Sequence, residues 1–218
     1  MALDLTKSRF LTRLLLIVSL PLALAACVTN QPPPPSAGVF DSRYAAIDSE
    51  PHPVDAVDLS EVDPQYRRQV VSYPTKYAPG TIVVDINDRH LYLVQKDGKA
   101  IRYGVGVGKQ GYSFVGSATI KRKQEWPHWT PTSNMIKREP KRYGPYAGGL
   151  PGGENNPLGP RALYLYQGDR DTMFRIHGTT EPWSIGKQVS SGCIRLLNQD
   201  IIDLYSRVPL GTRVVVER

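Results

Sequence analysis

A chain of 218 residues has room for one ordinary domain with tails, or for two very small domains. Hydrophobic residues are 40 % and charged residues 22 % of it, with a formal net charge of +7, and 19 glycines and 19 prolines favour turns and strands over a long helical bundle. Two cysteines, Cys27 and Cys193, exclude a disulfide-dense scaffold, and no CxxC or HxH pair offers a metal cage.

Lys7, Arg9 and Arg13 precede the apolar residues 14–26, a run of 13 that contains Pro21. A membrane-spanning helix needs about 20. Residues 1–26 therefore read as a secretory signal peptide. The run ends in Leu24-Ala25-Ala26-Cys27, which resembles a bacterial lipobox, where the cysteine takes a lipid and becomes the new N-terminus. The plainer alternative is cleavage at a small-residue site, with Cys27 left as a free thiol. Val28, in place of the aspartate typical of inner-membrane retention, points the anchor to the outer membrane. The expected location is the periplasm, lipid-anchored. With Cys27 in a lipid bond, Cys193 has no intramolecular partner where thiols oxidise, so it is either buried and inert or kept for its reactivity.

Residues 27–76 read as a lipid-anchored tether, mostly disordered. Pro32, Pro33, Pro34 and Pro35 make a stiff extended stretch. Beyond them, acidic residues outnumber basic ones by seven to four, large apolar residues are few, and no period is sustained. A short amphipathic helix is expected at residues 65–71. From residue 77 the texture changes. Residues 81–86 and 89–95 are β-rich runs separated by Asn87-Asp88, and Asp97-Gly98 turns the chain into a third run at 100–107. Further strands are expected at 117–123, 161–166, 173–177 and 212–217. One helix is expected at 199–206, with Asn198 as N-cap and Ile201, Ile202, Leu204 and Tyr205 on its apolar face. Many short strands with one main helix predict a mainly β domain at 77–218, a sandwich or partly open barrel.

Residues 125–160 show no periodicity and are rich in Trp, Tyr, Pro and Gly, which predicts a long lid loop rather than disorder. Residues 81–218 hold 20 Lys and Arg against 12 Asp and Glu. Lys121, Arg122, Lys123, Lys137, Arg138, Lys141 and Arg142 border the lid, so the basic domain is expected to meet an anionic polymer there. Export makes nucleic acid the least fitting partner.

Gly106 to Gly111 matches GxGxxG, but a dinucleotide fingerprint must lie between a strand and a helix, and turn and strand follow here. Strand-end glycines are the better account. His52, His90 and His128 lack ligand-spaced neighbours and are assigned structural or solvated roles. His177 differs: it ends an apolar strand and opens onto Gly178-Thr179, a placement that faces a cleft. Then comes Ser190-Ser191-Gly192-Cys193-Ile194-Arg195-Leu196, which puts Cys193 sixteen residues after His177. A thiol after Ser-Ser-Gly sits where successive backbone N–H groups converge, as an oxyanion hole requires. A neighbouring imidazole would take the thiol proton and give a thiolate–imidazolium pair. Spacing alone leaves the inert buried cysteine open.

His177-Gly178-Thr179 together with Ser190-Ser191-Gly192-Cys193-Ile194-Arg195-Leu196 resembles the signature of the L,D-transpeptidase catalytic domain (YkuD) family, and Asn155 to Leu163 resembles the segment that precedes its histidine strand. One departure is Ser191, where many members carry a second histidine. The resemblance implies an L,D-transpeptidase-type β-sandwich that acts on peptidoglycan stem peptides. Cys193 would be the nucleophile and His177 the base, held by a backbone carbonyl such as that of Gly178. Gly192 and Cys193 amides would hold the oxyanion, with Ser191 and Arg195 as substrate or loop contacts. The acyl group would pass to an amine, giving a 3→3 cross-link or a protein attached to the wall, an outer-membrane protein among the candidate acceptors. The alternatives are a stem-peptide L,D-carboxypeptidase and a non-catalytic wall-binding lipoprotein. No cofactor and no metal are implied.

Overall fold

Valine and isoleucine runs form the centre of the sheet. Ile82–Asp85 (β2, after β1 at Gln69–Ser72) and the C-terminal strand Arg213–Glu217 pair in parallel, Val215 opposite Val83, with Val214, Val215, Val216 and their three partners buried. A strand covered on both faces reads as a continuous apolar run, as these do. The computed structural model describes residues 41–109, 114–190 and 192–218. The expectations for the signal peptide, Cys27, the proline stretch, Ser191 and the end of the GxGxxG match lie outside those residues.

The remaining strands are His90–Val94 (β3), Lys99–Gly104 (β4), Val107–Gly108 (β5), Gly116–Glu125 (β6), Arg161–Gln167 (β7), Arg170–His177 (β8), Gln188–Ser190 (β9) and Ile194–Arg195 (β10), which makes the C-terminal strand β11. Nine of them form one sheet in the order β1-β4-β3-β2-β11-β6-β7-β8-β10, while β5 and β9 pair separately. Asp97 and Gly98 both take positive φ, +56° and +64°, as a tight hairpin turn between β3 and β4 demands. Ile82, Leu91 and Ile101 from one half of the sheet share a core with Leu163, Ile176 and Ile194 from the other. The sheet therefore curls round one core, closed by Ile201 and Leu204 of the helix Asn198–Arg207. The mainly β reading holds.

Three expectations need correction. Residues 65–71 are not a helix: Asp63 caps a single 3-10 turn at Pro64–Tyr66, and the β-branched Val70 and Val71 join β1 on the open edge of β4. Residues 41–76 are not a disordered tether. Tyr44, Leu59, Val62 and Tyr66 form a second small core with Ile185 and Leu197. Glu50 accepts from both terminal guanidinium nitrogens of Arg161, at 2.6 and 2.9 Å, and from the Trp126 indole N–H at 3.0 Å. Aperiodic apolar residues sink one by one into grooves of the domain, a pattern that composition reads as solvated chain. Nor is the lid structureless. It carries short helices at Ser133–Arg138 (α1) and Pro140–Tyr143 (α2), so Asn198–Arg207 is α3.

Candidate active site

Strand β10 lies parallel to β8, with Arg195 opposite His177 and Ile194 opposite Ile176. Cys193, the residue before β10, is thereby carried to the end of the strand that delivers His177. Leu196 N–H closes the pairing on the His177 carbonyl at 2.8 Å, and Gly106 exchanges both backbone hydrogen bonds with Arg195. The GxGxxG glycines thus serve strand pairing: Gly106 and Gly108 sit beside β10 and β9, and β6 follows from Gly116.

His177 is buried, and its Nδ1–H donates to the Gly178 carbonyl at 2.6 Å. A carbonyl only accepts, so Nδ1 holds the proton and Nε2 is left as the acceptor. The turn after it is pinned from an unexpected side. Asn198 is not the N-cap of α3; Leu197 occupies that position, and Asn198 Oδ1 accepts from Thr179 N–H at 2.9 Å. A side chain at Gly178 would collide with that same oxygen, which explains the glycine of His-Gly-Thr.

The loop that carries Cys193 is held by Ser190. Its hydroxyl donates to the Cys193 carbonyl at 2.7 Å and accepts from Gly192 N–H at 3.2 Å. The Gly192 amide, expected to serve an oxyanion, is therefore engaged within the loop. Gly192 itself has φ +137°, a conformation that a β-carbon strains. Ser190 was legible as part of Ser-Ser-Gly-Cys, although its role was not.

His177, Ser190, Gly192, Cys193 and Arg195 all line one cavity of about 530 Å³. The model of the family described as YkuD, L,D-transpeptidase catalytic domain, matches residues 79–216. The chain belongs to this family. The probable L,D-transpeptidase ErfK/SrfK of Escherichia coli strain K12 is 38 % identical over 138 residues, which are 62 % of this chain and 43 % of that protein. The probable L,D-transpeptidase YcfS of the same strain is 29 % identical over 95 % of this chain and 72 % of its own length. The chain thus spans less than half the length of the first of these relatives. The crystal structure of a probable carnitine operon oxidoreductase caia from Brucella melitensis is 54 % identical, covering 73 % of this chain and 99 % of that one, with a TM-score of 0.50.

The cavity is roofed by the lid. Trp129 meets Tyr143 and Tyr146 at ring separations of 6.2 and 5.9 Å, and its backbone is bridged to Leu150 in both directions. Buried Asn156 ties the ends of the lid together by donating to the carbonyls of Pro127 and Pro151, each at 2.9 Å. Arg195 donates to Glu181 at 2.5 Å, and Arg142 of α2 reaches the same carboxylate at 3.3 Å. Arg195 therefore braces the loop and lid through Glu181, a residue that no motif singled out. Of the expected basic border, Arg138 and Arg142 line the cavity. Lys121 instead pairs with Asp169, Arg122 lies over the Tyr164 ring, and Lys123 donates to the carbonyls of Tyr205 and Val208. His90 is structural, donating from Nδ1 to Asp88 at 2.7 Å, and His52 packs edge-on to Trp126.

The electrostatics of the two groups run against the expected ion pair. Burial, helped by the Arg195 charge, pushes His177 down to about 3, despite the opposing Gly178 hydrogen bond. Burial also raises the Cys193 thiol; a hydrogen bond from the Arg175 backbone and the charges of Arg175 and Arg195 oppose it without prevailing. Both directions favour the neutral thiol and the neutral imidazole over a thiolate–imidazolium pair. Alkylation of Cys193 by iodoacetamide is expected to keep climbing as pH rises through the ordinary thiol range near about 8.5. A flat, fast rate from about pH 4 to pH 8 would reveal a resident thiolate and overturn this assignment.

Proposed function

We propose that the protein is a peptidoglycan L,D-transpeptidase that works through a Cys193 acyl-enzyme, taking a tetrapeptide stem as donor and an amine as acceptor. The observation that carries this reading is the parallel pairing of β10 with β8, which brings Cys193 and a His177 whose Nε2 is left as the acceptor to one lidded cavity. His177 Nε2 takes the thiol proton as Cys193 Sγ attacks the carbonyl of the third stem residue. The C–N bond to D-Ala then breaks, and the imidazolium returns that proton to the departing amine. The thioester is opened by an acceptor amine: the new C–N bond forms as C–S breaks, and the amine's proton passes through Nε2 to the leaving sulfur. With Gly192 N–H engaged by Ser190, the Cys193 N–H is the remaining backbone donor of the expected pair for the oxyanion.

No metal or cofactor enters this chemistry. Lipid anchorage in the outer membrane, with the active site in the periplasm, belongs to the same reading and is supported by the basic start, the apolar run and Leu24-Ala25-Ala26-Cys27. Cys27→Ser is expected to move the protein from the membrane to the soluble fraction on cell fractionation. Retention in the membrane would place its anchorage elsewhere.

The decisive test uses purified disaccharide-tetrapeptide, with mass spectrometry of both protein and muropeptides and Cys193→Ala beside the wild type. Release of D-Ala with a cross-linked dimer, absent from the variant, is the expected result. Release without a dimer points to the carboxypeptidase or to a missing protein acceptor. An unmodified Cys193 and intact substrate would replace the proposal with a wall-binding lipoprotein.

A further inference from the structure

Where β8 ends, the sheet fixes the backbone of His177 from both sides. The His177 carbonyl accepts from Leu196 N–H, just past β10, at 2.8 Å, and Gly178 N–H donates to the Arg161 carbonyl of β7 at 3.3 Å. Both bonds hold one peptide unit, 177–178. The next unit, 178–179, is the first beyond the sheet, and its hydrogen bonds among the described residues go to two side chains. Its carbonyl, that of Gly178, accepts from His177 Nδ1–H at 2.6 Å, and its N–H, that of Thr179, donates to Asn198 Oδ1 at 2.9 Å. One rigid peptide plane therefore joins the imidazole to the asparagine.

Little room or solvent is left to relieve this arrangement. His177 is 5 % exposed and Thr179 4 %. A β-carbon at Gly178 would collide with Asn198 Oδ1, and so would one at Gly159, which lies just ahead of β7. The oxygen is thus seated between glycines of two separate segments. Its own helix does not use it. Leu197 is the N-cap of α3, no side chain caps that helix, and at position 198 alanine, the best helix former, would serve α3 at least as well. Nor does Asn198 line the catalytic cavity.

The consequence falls on the histidine tautomer. A neutral imidazole keeps its proton on the nitrogen that finds an acceptor. The Gly178 carbonyl is that acceptor only while the 178–179 plane keeps its tilt. Without Asn198, the buried Thr179 N–H has no partner and turns towards any other acceptor, which carries the Gly178 carbonyl away from Nδ1. The ring proton is then free to settle on Nε2, and an Nε2 that carries a proton cannot take one from the Cys193 thiol.

We infer that Asn198 is a positioning residue that holds His177 as its Nδ1–H tautomer through the 178–179 peptide. The catalytic consequence rests on the transpeptidase reading above, whereas the tautomer itself does not.

Two measurements on the full chain in detergent test it. Long-range proton–nitrogen correlation spectra near neutral pH show which ring nitrogen is protonated, and His177→Asn identifies the relevant signals among the four histidines. The wild type is expected to show Nδ1–H at His177, and Asn198→Ala a substantial fraction of Nε2–H. In the second measurement, kcat for acyl-enzyme formation in Asn198→Ala is expected to fall about tenfold or more, as a wrong tautomer requires. The donor KM should stay within about threefold, since Asn198 lies outside the cavity lining. Asn198→Asp keeps an oxygen acceptor on the same stem and should restore both the tautomer and the rate. Should the alanine variant fail to fold, Asn198→Leu, of like shape without an acceptor, takes its place. Nδ1–H alone in the variant without an acceptor, or its loss in Asn198→Asp, overturns the assignment and leaves Asn198 as a pin of the fold. A tautomer shift in a protein whose wild type forms no acyl-enzyme removes the transpeptidase reading and leaves the positioning of His177 standing.

Discussion

Replacing His177 with asparagine is expected to slow acylation of Cys193 by the stem donor about 10²–10⁴-fold, the usual contribution of a positioned general base. The loss is large because burial leaves the thiol neutral and no resident thiolate compensates. Asparagine retains an N–H that can meet the Gly178 carbonyl, so the turn that His177 anchors is preserved while the acceptor nitrogen disappears. The variant's residual rate should then rise steeply with pH, since only solvent-generated thiolate remains to attack. The wild type should show no loss on acidification through the usual imidazole range near about 6.5, because its imidazole is already neutral there and stays so until the pH nears 3. Time courses of acyl-enzyme mass at several pH values measure both. A variant within threefold of the wild type would remove His177 from the role of base.

The largest stability effect is expected at Glu50. Glu50→Ala leaves the Arg161 guanidinium, whose side chain is 9 % exposed, with Glu125 no nearer than 3.9 Å and a neutral carbonyl of Pro160. Removing one partner of a buried pair costs about 3–5 kcal/mol. For a chain of this size that lowers Tm on the order of 10 °C. Burial would raise the Glu50 carboxyl, but the hydrogen bonds from Arg161 and Trp126 outweigh it and hold it below the usual carboxylate range. A depressed carboxylate stabilises the fold above its ordinary titration range and loses that contribution as pH falls. The Tm difference between wild type and variant should therefore shrink in acid. Asp169→Ala, which breaks the exposed pair with Lys121, should shift Tm by no more than about one degree. Thermal unfolding of the three proteins at neutral and acidic pH decides it. Equal Tm values for Glu50→Ala and wild type would show that residues 41–76 are not clamped to the domain through this pair.

Much of the domain was legible in the sequence because its signals are local. Alternating and continuous apolar runs located β2, β3, β4, β6, β7, β8 and β11, since a strand's burial is written along its own residues. The His-Gly-Thr and Ser-Ser-Gly-Cys motifs marked His177 and Cys193, the two groups proposed to react, since a turn that presents a side chain needs particular backbone at the next few positions. Asn198 shows where this local signal fails. A polar residue one position before an apolar helical face reads as an N-cap, yet its oxygen is used by Thr179 across the turn beside His177.

What the sequence by itself determined is the mainly β domain, its family signature, and the identity of the cysteine and histidine. Only the tertiary structure decided the rest: that Ser190 holds the Cys193 loop and engages the Gly192 N–H, that Arg195 is committed to Glu181, that the surroundings of His177 and Cys193 favour their neutral forms, and that residues 41–76 build a second core with Ile185 and Leu197. The physical reason is the range of the interactions. Periodicity and turn chemistry act over a few residues, whereas hydrogen-bond partners, desolvation and charge pairing depend on which distant segments the closed chain brings together, as Glu50 and Arg161 show across 111 positions.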